Sequence, residues 1–292
     1  MQKIGFVTED ATDMPRELVE RCQIAQASVK FTWPELEGMP GENTFQKMRE
    51  LAKKGDKSFG KTSQPAVKDF LEKFEEQLAK FEKVICITIT SKLSGSYNSA
   101  NQAKSYLKEE DQKRLFIVDS LLVSAAQALL VMKAVDLMNE NKTAEEIVAE
   151  LEKFVPQVHS NLIFEDIKFV EASGRISHFA ATLVRGMAKA GIRPVLAFKK
   201  GVLTPTGLKT GAKDIPTAIF RQLEKDAKEF IGAGKKIRVA IAHGDDSQGA
   251  QRLREMIESN FKNVEVAFVN IIDNVLGILA GPDAIIVAWC EV

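Results

Sequence analysis

The segment Ser91-Lys92-Leu93-Ser94-Gly95-Ser96-Tyr97-Asn98-Ser99 gathers hydroxyl groups around a glycine, directly after the apolar run Val84-Ile85-Cys86-Ile87-Thr88-Ile89-Thr90. A strand feeding a Ser/Gly turn that opens a helix leaves backbone N–H groups and hydroxyls directed at one point, which is the chemistry of an anion site. The segment Lys61-Thr62-Ser63-Gln64-Pro65 has the same character, since its proline suits a first helical turn and Ser63 is placed to cap the helix. Two hydroxyl-rich helix starts predict one polar head-group pocket. Ser and Gly are also common at ordinary strand-to-helix turns, so capping alone accounts for the local pattern, and at Ser63 the two roles coexist.

Other residues able to do chemistry are more isolated. Asp119-Ser120 ends a strand, where α/β folds place ligands, and an Asp there equally serves as a cap for the following helix. Arg175, after Gly174 in a turn, offers a guanidinium to an acidic partner or a phosphate, or else pairs with Glu171 on the surface. His243-Gly244-Asp245-Asp246 follows an apolar strand, but no second histidine stands at ligand spacing, which favours a structural loop. Neither a G-x-S-x-G elbow nor a G-x-x-x-x-G-K-[ST] loop occurs. An enzyme acting on a small acidic or phosphorylated ligand would have to use Asp10, Asp119, Asp283 or His243.

The elements that position these residues follow from hydropathy. Short apolar runs alternate with amphipathic segments, the pattern of an α/β fold. Strands are predicted at Ile4 to Thr8, Val84 to Ile89, Leu115 to Val118, Asn161 to Phe164, Pro194 to Phe198, Val239 to Ala242, Val264 to Val269 and Ile285 to Ala288. From Pro65 onward, Val67, Phe70, Leu71, Phe74, Leu78 and Phe81 recur at helical steps. Thr143-Ala144-Glu145-Glu146 is a capping box for a helix that buries Ile147, Val148, Leu151 and Phe154. The pattern restarts after Pro156, so two domains are expected, 1–156 with both hydroxyl turns and 157–292 with Ser173-Gly174-Arg175-Ile176-Ser177 and Gly281-Pro282.

A chain of 292 residues suits two cores better than one. Its 40 basic and 40 acidic residues balance, so no basic excess supports nucleic-acid binding. Cys22, Cys86 and Cys290 are odd in number, far apart and in apolar company, which points to reduced thiols and a cytoplasmic protein rather than to disulfides or metal. Met1-Gln2-Lys3-Ile4-Gly5-Phe6-Val7 reads as a strand and lacks the apolar length of a signal peptide. The greasiest stretch, Leu121 to Met132, falls short of the roughly 20 apolar residues a bilayer requires, so no integral membrane segment is expected.

Together these residues resemble the DegV family, whose turns read approximately T-S-Q-P-S and S-S-K-L-S-G-T-Y-x-S-A. Here they stand as Thr62-Ser63-Gln64-Pro65-Ala66 and Thr90-Ser91-Lys92-Leu93-Ser94-Gly95-Ser96-Tyr97-Asn98-Ser99-Ala100. Val118-Asp119-Ser120, the S-G-R-I-S run at Arg175 in place of G-G-R-I-S, and Gly281-Pro282 extend the likeness nearly end to end. The resemblance implies a two-domain α/β fold, each domain a largely parallel sheet flanked by helices, that carries one long-chain fatty acid between its domains. It implies no cofactor, no metal and no catalytic residue. Members of the FakB type present the carboxyl group to a separate fatty acid kinase, which makes an acyl phosphate. On this reading Thr62, Ser63, Ser94 and Gly95 hold the carboxylate, while Gln64, Ser96, Asn98, Asp119, Ser120 and Leu279 line or back the pocket. Arg175 would meet a partner. Aliphatic and Phe side chains would bury the tail, which gains about 0.8 kcal/mol per CH₂.

Three departures stand out. Where the family reads G-T-H-T-G-P-G, this chain has Gly277-Ile278-Leu279-Ala280-Gly281-Pro282-Asp283, so Leu279 replaces the histidine and Asp283 a glycine. Thr210 aligns with the family's arginine after the second-domain hairpin. Thr8-Glu9-Asp10-Ala11-Thr12-Asp13 stands for T-D-S-T-x-D, losing hydroxyls and gaining acid. The missing imidazole and guanidinium are the groups expected near the head group and the kinase contact, so the changes bear on phosphorylation more than on lipid binding.

Overall fold

The structure, a computed structural model, describes residues 2–210 and 214–292; residues 1 and 211–213 lie outside it. Its strands are β1 (Gln2–Glu9), β2 (Ile24–Ala27), β3 (Lys30–Thr32), β4 (Lys61–Ser63), β5 (Phe81–Thr88) and β6 (Leu115–Asp119). They continue as β7 (His159–Ile163), β8 (Ile192–Lys199), β9 (Val202–Thr210), β10 (Ile237–His243), β11 (Val264–Ile271) and β12 (Ile285–Glu291). The chain forms two compact units. The first comprises Met1–Lys30, Ser63–Val158 and Lys199–Val202, the second Phe31–Thr62, His159–Phe198 and Leu203–Val292.

In the first unit β2-β1-β5-β6 form a sheet whose adjacent strands are all parallel. Such a sheet is covered on both faces, which is why Val84, Ile85, Cys86 and Ile87 run as a continuous apolar stretch, each fully buried. Val84 and Cys86 pack with Phe70, Phe74 and Leu78 of the helix Val67–Leu78 and with Ala100 and Ala103 of Ser96–Tyr106. Ile85 and Ile87 alternate with them and face the other way, the side covered by Ala125–Asn139 and Ala144–Phe154. The capping box at Thr143 is present: its hydroxyl accepts from Glu146 N at 3.3 Å, and Glu146 Oε2 accepts from Thr143 N at 2.8 Å. The helix after Pro65 differs from expectation at both ends. Ser63 does not cap it; the chain stays extended through Ala66, whose N–H donates to Asp69 Oδ2 at 2.8 Å, and Phe81 opens β5 instead of closing the helix.

The second unit holds a six-stranded sheet, β11-β10-β12-β7-β8-β9. Among the described pairings β10 and β11 are parallel, β12 runs antiparallel to both its neighbours, and β7 is antiparallel to β8. The expectation of a largely parallel sheet therefore fails here, because the last strand enters the middle of the sheet reversed and β8 and β9 form a hairpin. Its two-residue turn, Lys200-Gly201, has φ of 51° and 86°, the twist that a tight hairpin requires. The core gathers fully buried Trp289, Ile219, Leu223 and Leu253 between the sheet and the helices Ile215–Gly232 and Ser247–Asn260.

The division between Val158 and His159 falls where the sequence pattern restarts, but a first domain of residues 1–156 is not what the contacts give. Phe31–Thr62 belongs to the second unit. Its helix Thr44–Lys53 seats Phe45 against Gly277, where an added Cβ would lie 2.6 Å from the ring. Arg49 on the same helix pairs with Asp245 at 2.6 Å and Asp283 at 2.7 Å. Conversely, the hairpin tip Lys199–Val202 belongs to the first unit, where Gly201 O accepts from the Thr90 hydroxyl at 3.0 Å. Among the described residues no helix is long and apolar enough to cross a membrane.

Candidate functional site

In the first unit β5 delivers the chain into a turn pinned by Thr90, which is fully buried. Thr90 N donates to Leu122 O at 3.0 Å, and Thr90 O accepts from the amides of Leu93 and Ser94, each at 3.2 Å. Asp119, at the end of β6, accepts from Ser91 N at 3.0 Å and Leu121 N at 3.1 Å, so one carboxylate holds both loops. Ser120 is buried and closes a local turn, its hydroxyl donating to Leu122 O at 3.1 Å and accepting from Leu122 N at 3.0 Å. Asn98 is exposed.

Gly95 stands at the N-cap of Ser96–Tyr106 and has no side chain with which to cap it. Among the described residues, no group accepts from the amides of Gly95, Tyr97 or Asn98. Ser94, half-buried, accepts from Ser96 N at 3.2 Å and its Oγ lies 3.0 Å from Ser96 Oγ. Gln64 is laid across Gly95, where a Cβ would meet its Nε2 at 2.7 Å; Gln64 and Ser63 are both exposed. The turn thus presents a hydroxyl and uncapped amides, as the sequence predicts, with the glycine needed for close approach rather than for its φ.

Behind Ser96 lies Glu9, the last residue of β1, with none of its surface exposed. Its carboxyl accepts from Ile89 N at 3.1 Å and Gln127 Nε2 at 3.0 Å. Burial pushes its pKa up to about 7, and these hydrogen bonds offset the rise only in part. Sequence reasoning registers Glu9 merely as a departure from the family pattern. The signal that could have found it is an acid closing an otherwise apolar strand, Ile4-Gly5-Phe6-Val7-Thr8-Glu9.

In the second unit the Thr62 hydroxyl oxygen accepts from Arg175 Nη2 at 3.2 Å, and Arg175 Nη1 donates to Ser173 O at 2.7 Å. Glu171 pairs with Arg185 and His178 rather than with Arg175, so the surface-pair alternative for Arg175 does not occur. No carboxylate among the described residues pairs with Arg175, and burial lowers its pKa by disfavouring the charged form. Leu279 is half-buried on the helix Asn274–Ala280, and Thr210 is exposed at the end of β9.

A family model described as "Uncharacterised protein, DegV family" matches residues 3–292. The chain belongs to the DegV family. A fatty acid-binding protein of Thermotoga maritima is 28% identical over 273 residues, 90% of this chain and 89% of that protein. Protein DegV of Bacillus subtilis is 26% identical over 295 residues, 98% of this chain and 99% of that protein. Among solved structures, a stearic acid-binding protein from Eubacterium ventriosum superposes with a TM-score of 0.82 at 22% identity, covering 100% of this chain and 98% of that one.

The acids an enzymatic reading would draw on in this DegV chain are committed to structure. Asp10 Oδ1 accepts from Val29 N at 3.0 Å, Asp119 holds its two loops, and Asp283 is paired with Arg49. His243 is buried, which lowers its pKa. No cluster of three metal-ligating side chains occurs among the described residues. A cavity of about 650 Å³ in the first unit, lined by Met14, Leu18, Met132 and Met138, opens by Ile4 and Phe81 at the far ends of β1 and β5 from the Ser94 turn. A second, of about 720 Å³, lies beside His243 and Arg252. Neither is lined by a residue the sequence assigns to the head-group pocket.

Proposed function

We propose that this DegV chain is a non-catalytic carrier that binds a long-chain fatty acid by its carboxylate. The observation that carries the reading is the Ser94 turn, a hydroxyl beside uncapped amides at the start of an eleven-residue helix. A carboxylate accepting from such donors gains about 1.5 to 3 kcal/mol per bond, enough to orient a ligand whose affinity comes mainly from its tail. The positive end of the helix dipole acts in the same direction. The Thr62 hydroxyl of the second unit, which accepts from Arg175 and so has its own hydrogen available, is likewise suited to donate to an anion. The fatty-acid binding named for its relatives supports the same conclusion. Three cysteines outside any disulfide, two of them buried, suit the cytoplasm as its compartment.

Mass spectrometry of lipid extracted from the purified protein tests the reading. One fatty acid per chain is expected; a polar metabolite in its place overturns it.

The reading extends to a fatty acid kinase as partner, with reduced efficiency. Leu279 packs against methylenes but cannot hydrogen-bond a carboxylate or acyl phosphate, and Thr210 brings no charge where the family has arginine. The loss acts on the transferred group, where charge develops, rather than on lipid binding.

A further inference from the structure

The hairpin of β8 and β9 turns at Lys200-Gly201, and its tip, Lys199–Val202, packs within the first unit. Gly201 is buried there, and its carbonyl accepts from the hydroxyl of Thr90 at 3.0 Å. The approach is close. A Cβ on Gly201 would lie 2.6 Å from that hydroxyl oxygen, 2.8 Å from Lys92 Cγ and 3.2 Å from Leu121 Cδ2. Glycine is therefore required for the contact as well as for its φ of 86°.

Through Thr90 this contact reaches the Ser94 turn. Every polar group of Thr90 is engaged: its N–H donates to Leu122 O, and its carbonyl accepts from the amides of Leu93 and Ser94. Its hydroxyl accepts from Lys92 N at 3.3 Å while donating to Gly201 O. A hydroxyl has one hydrogen, and an amide N–H can only donate, so the Thr90 hydrogen goes to the hairpin tip. One side chain thus ties the tip to Lys92, and its own carbonyl ties the two residues that follow. With none of the residue exposed, no water stands ready to replace the Gly201 carbonyl.

We propose that Thr90 and Gly201 are positioning residues for the head group, the hairpin tip holding the turn in the geometry that presents the Ser94 hydroxyl and the uncapped amides of Gly95, Tyr97 and Asn98 to a carboxylate. The proposal deepens the fatty-acid reading above and rests on it. Thr90 is fully buried and acts through the turn. A turn already held gives a carboxylate its hydrogen bonds without the entropy of ordering the donors, whereas a loose turn loses part of their worth to ordering. The effect falls on the charged end of the ligand, because the alkyl tail draws its affinity from apolar burial.

The experiment measures displacement of cis-parinaric acid from the delipidated full chain by palmitic acid and by palmityl alcohol, which share a tail and differ in charge. The native chain is expected to prefer the acid by about tenfold or more, the worth of hydrogen bonds to a charged acceptor. Thr90→Val keeps the shape of the side chain and loses both bonds of the hydroxyl. Gly201→Asn tolerates the positive φ of the turn but brings a Cβ against Thr90. Each should lower the affinity for the acid about tenfold and leave that for the alcohol nearly unchanged, erasing most of the preference. Thr90→Ser keeps the hydroxyl and should retain it. A variant that is merely less stable loses acid and alcohol alike, so the preference separates positioning from stability, and Gly201→Asn carries the comparison if Thr90→Val does not fold. A native preference retained in the folded variants Thr90→Val and Gly201→Asn would overturn the positioning role and leave fatty-acid binding intact. A native chain that takes up no cis-parinaric acid, or does not distinguish acid from alcohol, would overturn the carboxylate reading and the positioning role with it.

Discussion

The guanidinium of Arg175 donates to the hydroxyl oxygen of Thr62 across 3.2 Å, while Ser173 O holds its other nitrogen. Arg175 is half-buried with no carboxylate paired to it among the described residues, so the head-group anion proposed at Thr62 would find a cation directly behind the hydroxyl. On the proposed function the two residues act together, the cation orienting the hydroxyl offered to the ligand.

Thr62→Val should weaken binding of a fluorescent fatty acid by about tenfold, in line with loss of roughly 1 to 2 kcal/mol for one hydrogen bond, whereas Thr62→Ser should bind like the native chain. Arg175→Lys should also weaken binding, because an ammonium on a flexible stem cannot reproduce a fork that spans Thr62 and Ser173. Unchanged affinity in Thr62→Val would remove this residue from the head-group assignment.

Ser94→Ala should cost more affinity than Ser99→Ala. Ser94 Oγ is half-buried at the turn, while Ser99 is buried in the first turns of the helix, its amide donating to Gly95 O at 2.9 Å. The expected loss at Ser94 is about 1.5 to 3 kcal/mol, the worth of a hydrogen bond to a charged acceptor. Equal dissociation constants for the two variants would count against Ser94 as donor.

Glu9 also makes folding stability depend on pH. Between its ordinary pKa of 4.5 and its folded value of about 7, the folded state holds a proton that the unfolded chain has released. The stability contributed by the neutral carboxyl is full below pH 4.5 and is lost as pH rises through 7, a total of about 3 kcal/mol. Urea unfolding of the native chain relative to Glu9→Gln should show the native midpoint dropping over this window. A constant difference between the two from pH 4.5 to 8 would show that Glu9 titrates normally.

Supplied with a cognate kinase and ATP, the native chain should yield little acyl phosphate despite binding lipid, and the double variant Leu279→His, Thr210→Arg should yield more. Histidine is close to leucine in size at half-buried Leu279, and Thr210 is exposed, where an arginine can extend into solvent. Full activity in the native chain, unchanged in the variant, would show that neither departure impairs presentation.

Sequence alone determines most of the strands and the Ser94 turn of this DegV chain. Eight strand predictions coincide with β1, β5, β6, β7, β8, β10, β11 and β12, most clearly where a strand is buried on both faces and reads as a continuous apolar run, as in β5, β10 and β12. Thr143 with Glu146 is legible for a similar reason, since a cap and its partner lie within one helical turn. The strands β2, β3, β4 and β9 escape this reading: β3, β4 and most of β9 are exposed or half-exposed, and Ile24-Ala25-Gln26-Ala27 has little apolar bulk.

Only the tertiary structure decides which distant groups meet. It turns Glu9 from an odd acid into a fully buried carboxyl held by Ile89 and Gln127, and it gives Arg175 to Thr62 rather than to Glu171. It assigns Phe31–Thr62 to the second unit through Phe45 and Arg49, sends the tip at Gly201 to Thr90, and reverses β12 between β10 and β7. Local spacing encodes the period of a helix or strand and the reach of a cap. A hydrogen bond between residues a hundred positions apart leaves no period in the chain, and the pKa of a carboxyl depends on the water that packing removes, which no single residue type records.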